Sequence, residues 1–167
     1  MLPSLSTCNL ERFNSASRSI ESYFELSKHP NIVATKEANG DLSSIATTKY
    51  LCGDDLDIYS GNDDQIVPLM SLGGKGVISV VSNILPKKTV EICDKFFAGD
   101  LKGSCDIQLE LLPLINALFC EVNPIPAKAA VSAMGFGENY LRLPLTTMEP
   151  ENEAKMRALM REQGLNV

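Results

Sequence analysis

The stretch Asn31-Ile32-Val33-Ala34-Thr35-Lys36-Glu37-Ala38 is rich in apolar and β-branched residues, and it predicts a β-strand over residues 31–37. Two further runs of this kind follow, at residues 56–60 and 76–81, and the second is apolar enough for a strand covered on both faces. Segments with helical spacing separate the three runs. The resulting order, β-α-β-α-β, predicts an α/β fold with a parallel sheet.

The helices fall into two groups. Between the strands, Asp41 is placed to cap one helix, and Asp63 or Asp64 is placed to start another. After the third strand the spacing of apolar residues is helical only. The predicted helices there cover residues 90–97, 107–119 with a bend at Pro113, a stretch that begins near Pro126, and 150–164.

Three regions follow from this pattern. Ala16, Ile20, Tyr23 and Phe24 have helical spacing, so we expect an amino-terminal helical segment over residues 1–28. The sheet region covers residues 29–85. An all-helical carboxyl-terminal domain covers residues 86–167.

Composition limits the class of protein. The chain has 167 residues with 44% hydrophobic content, which is enough for a domain with its own core. A formal net charge of -6 provides no basic surface for phosphates, so nucleic acid is not an expected partner. No apolar stretch approaches the roughly 20 residues that span a bilayer, and residues 1–12 do not resemble a secretory signal. We expect no membrane partner and a cytoplasmic location.

Cysteine and histidine offer little chemistry. The five cysteines are scattered and odd in number, which argues against a disulfide framework, and His29 is the only histidine. We therefore expect no metal site and no cofactor. Any reaction must use lysine, carboxylates, hydroxyl groups or the backbone.

Lys36 is the most informative candidate residue because it lies within an apolar strand. Desolvation disfavours the ammonium form of such a lysine, and a neutral amine can form a Schiff base with a carbonyl substrate. The alternative is a strand-end lysine whose aliphatic stem is buried while its amine reaches water. The sequence of this strand alone favours the alternative.

Each predicted strand ends in a polar turn, at residues 36–41, 60–64 and 79–83. The carboxyl ends of parallel strands form one edge of the sheet, where α/β proteins bind ligands. Gly40, Asp41 and Asp64 fit simple turn or cap roles, whereas Gly61 would let the backbone approach a ligand closely. Residues 73–76 are a helix stop and turn, since they lack the spacing of a phosphate loop. Residues 62–64 likewise lack the spacing of a calcium loop.

Five motifs together resemble a known family. They are Ile-Val-Ala-Thr-Lys-Glu-Ala (32–38), Tyr-Ser-Gly-Asn-Asp (59–63), Leu-Gly-Gly-Lys-Gly-Val-Ile-Ser-Val (72–80), Glu-Val-Asn-Pro-Ile-Pro-Ala-Lys (121–128) and Leu-Arg-Leu-Pro-Leu (141–145). In order and spacing, residues 29–165 resemble the carboxyl-terminal half of the dihydrodipicolinate synthase family. This family belongs to the pyruvate-dependent aldolases, with N-acetylneuraminate lyase.

The resemblance implies a fold and a reaction. The fold would be a (β/α)8 TIM barrel, of which this chain supplies about three carboxyl-terminal βα units over residues 29–85, followed by the family's helical domain. Lys36 would form a Schiff base with pyruvate, beside Gly61 and Ile78. The adduct would then attack L-aspartate semialdehyde, a lyase reaction of lysine (diaminopimelate) biosynthesis.

The resemblance also implies differences from a complete enzyme. A TIM barrel needs about 250 residues and eight strands, so this chain alone does not close one. Leu5 stands where the family has an arginine for the second substrate, and Thr7 where it has glycine. A second copy in a homo-oligomer, a complementing barrel half or a rearranged amino-terminal helix would cover the open sheet. The alternatives to an enzyme are a truncated, non-catalytic assembly or regulatory partner and a 2-oxo acid binder.

Overall fold

The chain folds around a four-stranded parallel sheet. The computed structural model describes the backbone of residues 5–9 and the whole of residues 19–167. The strands are β1 (Leu5–Asn9), β2 (Ile32–Glu37), β3 (Asp57–Ser60) and β4 (Gly76–Val77), and they lie in the spatial order β1-β2-β3-β4. All three pairings are parallel, which confirms the predicted sheet.

Helices connect the strands and form most of the chain after β4. They are α1 (Ile20–Ser27), α2 (Leu42–Cys52), α3 (Ile66–Ser71), α4 (Pro86–Phe97), α5 (Leu101–Leu118), α6 (Ile125–Ala133) and α7 (Pro150–Glu162). As predicted, Asp41 caps α2, because its Oδ1 accepts a hydrogen bond from the Ser43 N–H at 2.9 Å. None of the helices in this described part combines the length and apolarity needed to cross a bilayer.

Two strand predictions differ from the structure. The described residues form four βα units in place of about three, because β1 was not predicted: Leu5–Asn9 reads Leu-Ser-Thr-Cys-Asn, which lacks a β-branched apolar run. The strand predicted over residues 76–81 ends at Val77. The N–H groups of Val80 and Val81 bond instead to the carboxylate of Asp63, and a 3-10 turn follows.

The predicted amino-terminal segment is described only in part. Its helix is observed as α1, while Ala16 and the rest of residues 1–4 and 10–18 lie outside the described residues. The main apolar cluster extends from Ile66 to Met160 and so crosses the predicted boundary at residue 86. The division into three regions stays a prediction.

Candidate active site at the carboxyl edge of the sheet

Lys36 lies near the carboxyl end of β2, the second strand of the sheet. Its backbone is in register with Cys8 of β1 and Tyr59 of β3. The side chain is half-buried, and it forms no hydrogen bond or salt bridge with the residues that the structure describes. No described carboxylate therefore forms an ion pair with this amine.

Gly61, which follows β3, lies against the stem of this lysine at the sheet edge. A Cβ atom at Gly61 would lie 2.8 Å from the Lys36 Cε and 2.6 Å from the Ala38 Cβ, closer than real side chains approach. The Gly61 N–H also donates to the Glu37 carbonyl oxygen at 2.7 Å. The lysine stem therefore lies directly against the backbone after β3, and only glycine leaves the space for it.

Ile78 lies at the same edge, just after β4. Its backbone N–H donates to the Ser60 carbonyl oxygen at 2.8 Å, which places it beside the residue that precedes Gly61. Its side chain is 45% exposed. The structure thus brings Lys36, Gly61 and Ile78, all chosen from the sequence, to the ends of three adjacent strands.

Asp63 fixes the segment that follows Ile78, a role that the sequence did not indicate. Its side chain is 1% exposed, and its Oδ2 accepts hydrogen bonds from the N–H groups of Val80 at 2.8 Å and Val81 at 3.1 Å. Burial raises the pKa of this carboxyl group, although the backbone donors favour its charged form. The turn after β3 and the turn after β4 are therefore joined by one buried side chain.

Glu37 is a second residue that sequence reasoning missed. The carboxylate is 3% exposed, and its Oε2 accepts a hydrogen bond from the Tyr23 hydroxyl at 3.0 Å. Its Oε1 accepts from the N–H groups of Ala38 at 3.0 Å and Asn39 at 3.1 Å. The available signal was its position next to Lys36, because alternation along a strand turns such a residue towards the helical layer, where a carboxylate needs donors.

A polar recess of about 390 Å³ adjoins this edge beyond Ala38. It lies between the turns after β2 and β3 and helix α5, and its polar side chains are those of Asn39, Asn62, Asp64, Gln65 and Asn116. No lysine or arginine lines it. In the described part of the chain, no three His, Cys, Asp or Glu side chains are grouped so that they could hold a metal ion.

The two faces of the sheet differ in burial. In the carboxyl-terminal part of β2 and in β3, the residues that face the helices are almost fully buried: Thr35, Glu37, Ile58 and Ser60. The alternate residues, on the face of Lys36, are all partly exposed: Ala34, Lys36, Asp57 and Tyr59. Helices therefore cover one face, whereas the described residues leave the other face only partly covered, although parallel sheets are normally covered on both.

The fold and site define a parallel α/β protein with a lysine at the carboxyl edge of its sheet, where such proteins bind ligands, and no described residue pairs with that lysine. Residues 6–163 match the sequence profile described as the dihydrodipicolinate synthetase family. The chain belongs to this family.

Individual relatives agree with this assignment. The 4-hydroxy-tetrahydrodipicolinate synthase of Caldicellulosiruptor saccharolyticus is 51% identical over 147 residues, which are 88% of this chain and 50% of the relative. That of Lachnoclostridium phytofermentans is 55% identical over 81% of this chain and 46% of the relative. The chain thus spans about half the length of these curated relatives.

Solved structures match nearly the whole chain. The dihydrodipicolinate synthase of Thermotoga maritima has a TM-score of 0.94 and 40% identity, over 98% of this chain and 57% of that protein. The enzyme of Acinetobacter baumannii, solved as a complex with pyruvate, has a TM-score of 0.92 and 32% identity, over 98% of this chain and 56% of that protein. The partial-barrel prediction is therefore supported at the level of the fold.

Proposed function

We propose that this chain forms the pyruvate-binding half of a 4-hydroxy-tetrahydrodipicolinate synthase-type site. The observation that supports this most directly is the contact of the Lys36 stem with Gly61, at a sheet edge where the amine has no described ion-pair partner. The names of the relatives agree with it. The pyruvate in the A. baumannii relative supports the choice of the first substrate.

The proposed chemistry begins with the Lys36 amine. Its Nζ adds to the C2 carbonyl carbon of pyruvate, and loss of water from the resulting carbinolamine gives an iminium. Loss of a proton from the pyruvate methyl group to solvent gives an enamine. The enamine carbon bonds to the aldehyde carbon of L-aspartate semialdehyde, the aldehyde oxygen takes up a proton, and the enamine returns to an iminium. Cleavage of this iminium by an incoming nucleophile then frees the Lys36 amine. In this scheme Gly61 leaves room for the adduct beside the backbone, and Ile78 offers an apolar wall to the methyl group.

The uncovered face of the sheet suggests a partner for this site. In the T. maritima relative, the region equivalent to this chain is 57% of the protein, so the rest is available to cover the equivalent face. We propose that a complementing half-barrel covers the face of Ala34 and Lys36, and a second copy of this chain is the alternative. Covering this face would exclude water from the site around the amine.

Borohydride trapping tests the chemistry. The protein is incubated with pyruvate and reduced with borohydride, and its intact mass is measured. The experiment is done with the protein alone and together with the part of the T. maritima relative that this chain does not match. We expect an adduct that is absent in Lys36→Ala and present in Lys49→Ala, a lysine that instead bonds the Gly53 carbonyl. If the folded chain forms no adduct under either condition, the alternative of a non-catalytic family member is favoured. An adduct without aldol product would favour a 2-oxo acid binder.

Association is measured separately by size-exclusion chromatography with light scattering. Ala34→Arg places a charge on the uncovered face and is expected to abolish the complex with the complementing half. Tyr50→Arg is the control, because Tyr50 is already 84% exposed on helix α2, in the layer that covers the opposite face of the sheet. A complex that tolerates both substitutions would contradict the proposed surface, and a dimer of this chain alone would favour self-association.

A further inference from the structure

Lys36 has a buried polar neighbour to which no role has been assigned. Glu37 follows it in β2, and its carboxylate receives three described hydrogen bonds, from the Tyr23 hydroxyl and from the N–H groups of Ala38 and Asn39. We propose that Glu37, held by Tyr23, is a positioning residue for Lys36. This inference rests on the proposed function of Lys36.

The contacts show how the effect would reach the lysine. The Glu37 carboxylate bonds the first two N–H groups after the strand, so it fixes the backbone that bears Ala38. The Ala38 Cβ in turn lies within 2.6 Å of the place where Gly61 has no Cβ. The Glu37 carbonyl oxygen also accepts the Gly61 N–H at 2.7 Å. One residue therefore sets both walls of the gap that holds the Lys36 Cε.

The chemistry of Glu37 fits a geometric role better than a purely stabilising one. Removing a carboxylate from water is costly, and buried ionic groups can often be replaced by apolar residues without loss of stability. The Glu37 carboxylate lies between helix α1 and the sheet, in a buried position that an apolar side chain could also fill. An apolar side chain could not bond the two N–H groups, so the turn after Lys36 would lose its restraint.

Competitive labelling of lysines tests the proposal and does not require the protein to be enzymatically active. The folded protein receives a trace of acetic anhydride across a range of pH, and peptide mass spectrometry gives the labelling rate of each lysine. In Glu37→Ala the turn after Lys36 loses its restraint, so we expect the labelling rate of Lys36 to rise by about threefold relative to the exposed Lys87. Glu37→Gln keeps an oxygen for the N–H groups and is expected to stay within about twofold of wild type.

The matched control removes a buried hydrogen bond elsewhere. Ser104 donates from its hydroxyl to the Ile92 carbonyl oxygen at 2.7 Å, between α4 and α5. Ser104→Ala should lower stability and leave the Lys36 labelling profile unchanged. An unchanged Lys36 profile in folded Glu37→Ala, or an equal change in Ser104→Ala, would overturn the proposal. If Glu37→Ala does not fold, Tyr23→Phe is used instead, and we expect it to raise the labelling rate of Lys36 by about twofold.

Trapping with pyruvate separates this inference from the proposed function. If wild type forms the adduct, Glu37→Ala should slow trapping by about tenfold or more, because small misplacements of a nucleophile have large kinetic effects. A Glu37→Ala variant that traps pyruvate at the wild-type rate would refute the positioning role. If wild type forms no adduct, the proposed function fails, and the labelling profile still decides the role of Glu37.

Discussion

Replacing Gly61 by alanine tests the geometry of the site most directly. The added methyl group would lie 2.6 Å from the Ala38 Cβ, 2.8 Å from the Lys36 Cε and 3.2 Å from the Glu37 carbonyl oxygen. The lysine stem is flexible and can move. Neither the Ala38 Cβ nor the Glu37 backbone can rotate away, so part of the strain must remain in the sheet edge.

The magnitude follows from the cost of overpacking. One extra methyl group in a filled site costs about 1–3 kcal/mol. For a domain of this size each kcal/mol lowers Tm by about 2–4 °C. Displacing the Lys36 amine by about 1 Å would lower the rate of adduct formation by up to about 10²-fold.

The assay combines thermal denaturation with the rate of borohydride trapping. Gly53→Ala is the control: Gly53 has a φ of 56° and nothing within 4 Å of its missing Cβ, so alanine there strains the backbone without touching Lys36. We expect both variants to lose stability and only Gly61→Ala to lose trapping. The double variant Gly61→Ala, Ala38→Gly removes the 2.6 Å contact and should recover part of the lost stability. A Gly61→Ala protein with unchanged Tm and unchanged trapping would refute the packing argument.

Three further predictions concern the surroundings of the site. Burial raises the pKa of Asp63 above its ordinary value of 3.8, so the folded state binds the carboxyl proton more tightly than the unfolded state does. The stability of the fold therefore falls as pH rises from 3.8 through the raised pKa of this group. Asp63→Asn, which keeps an oxygen for the Val80 and Val81 N–H groups, should therefore flatten the dependence of Tm on pH above 3.8; an unchanged slope would contradict this. Gln108→Ala removes the side chain that accepts from the Val67 N–H at 2.8 Å and donates to the Asp64 carbonyl at 3.0 Å, and it should cost about 1–3 kcal/mol in urea unfolding, whereas Leu109→Ala at the exposed neighbouring position should be nearly neutral. Leu114→Ala in the buried core should lower the free energy of unfolding by about 2–5 kcal/mol. A loss below about 1 kcal/mol would contradict the close packing of the core around α5.

Two strands and the start of α2 could be predicted because the residues that determine them are close together in the sequence. The strands at residues 31–37 and 56–60 follow from runs of β-branched and apolar residues, and the start of α2 follows from Asp41, whose partner Ser43 is two residues away. The strand β1 was missed because its short sequence has no such run. It is a strand because β2 pairs with it, a contact that joins Cys8 to Lys36 across the intervening helix.

The same distinction explains the site. Lys36 stands out because a charged residue interrupts an apolar run, and Gly61 because a glycine follows a strand. The importance of Asp63 and Glu37 depends on distant partners: Val80 and Val81 lie 17 and 18 residues from Asp63, and Tyr23 lies 14 residues from Glu37. No periodicity or spacing rule connects such residues. Family resemblance suggested the proposed roles of Gly61 and Ile78, and only the tertiary structure shows the supporting hydrogen bonds.

The helical part of the chain shapes the site without placing a residue against Lys36 in any described contact. Gln108 of α5 bonds both the start of α3 and the turn before it, and Asp63 in that turn bonds the segment after Ile78. Both side chains are buried, so water cannot easily replace the hydrogen bonds that they make. The position of Gly61 beneath the lysine is therefore set from the helical side of the sheet. The described residues cover this helical side of the sheet, whereas the face that would hold pyruvate in the proposed function is open. The chain can therefore hold Lys36 in a preformed position, and the reactivity of its amine depends on what covers the open face.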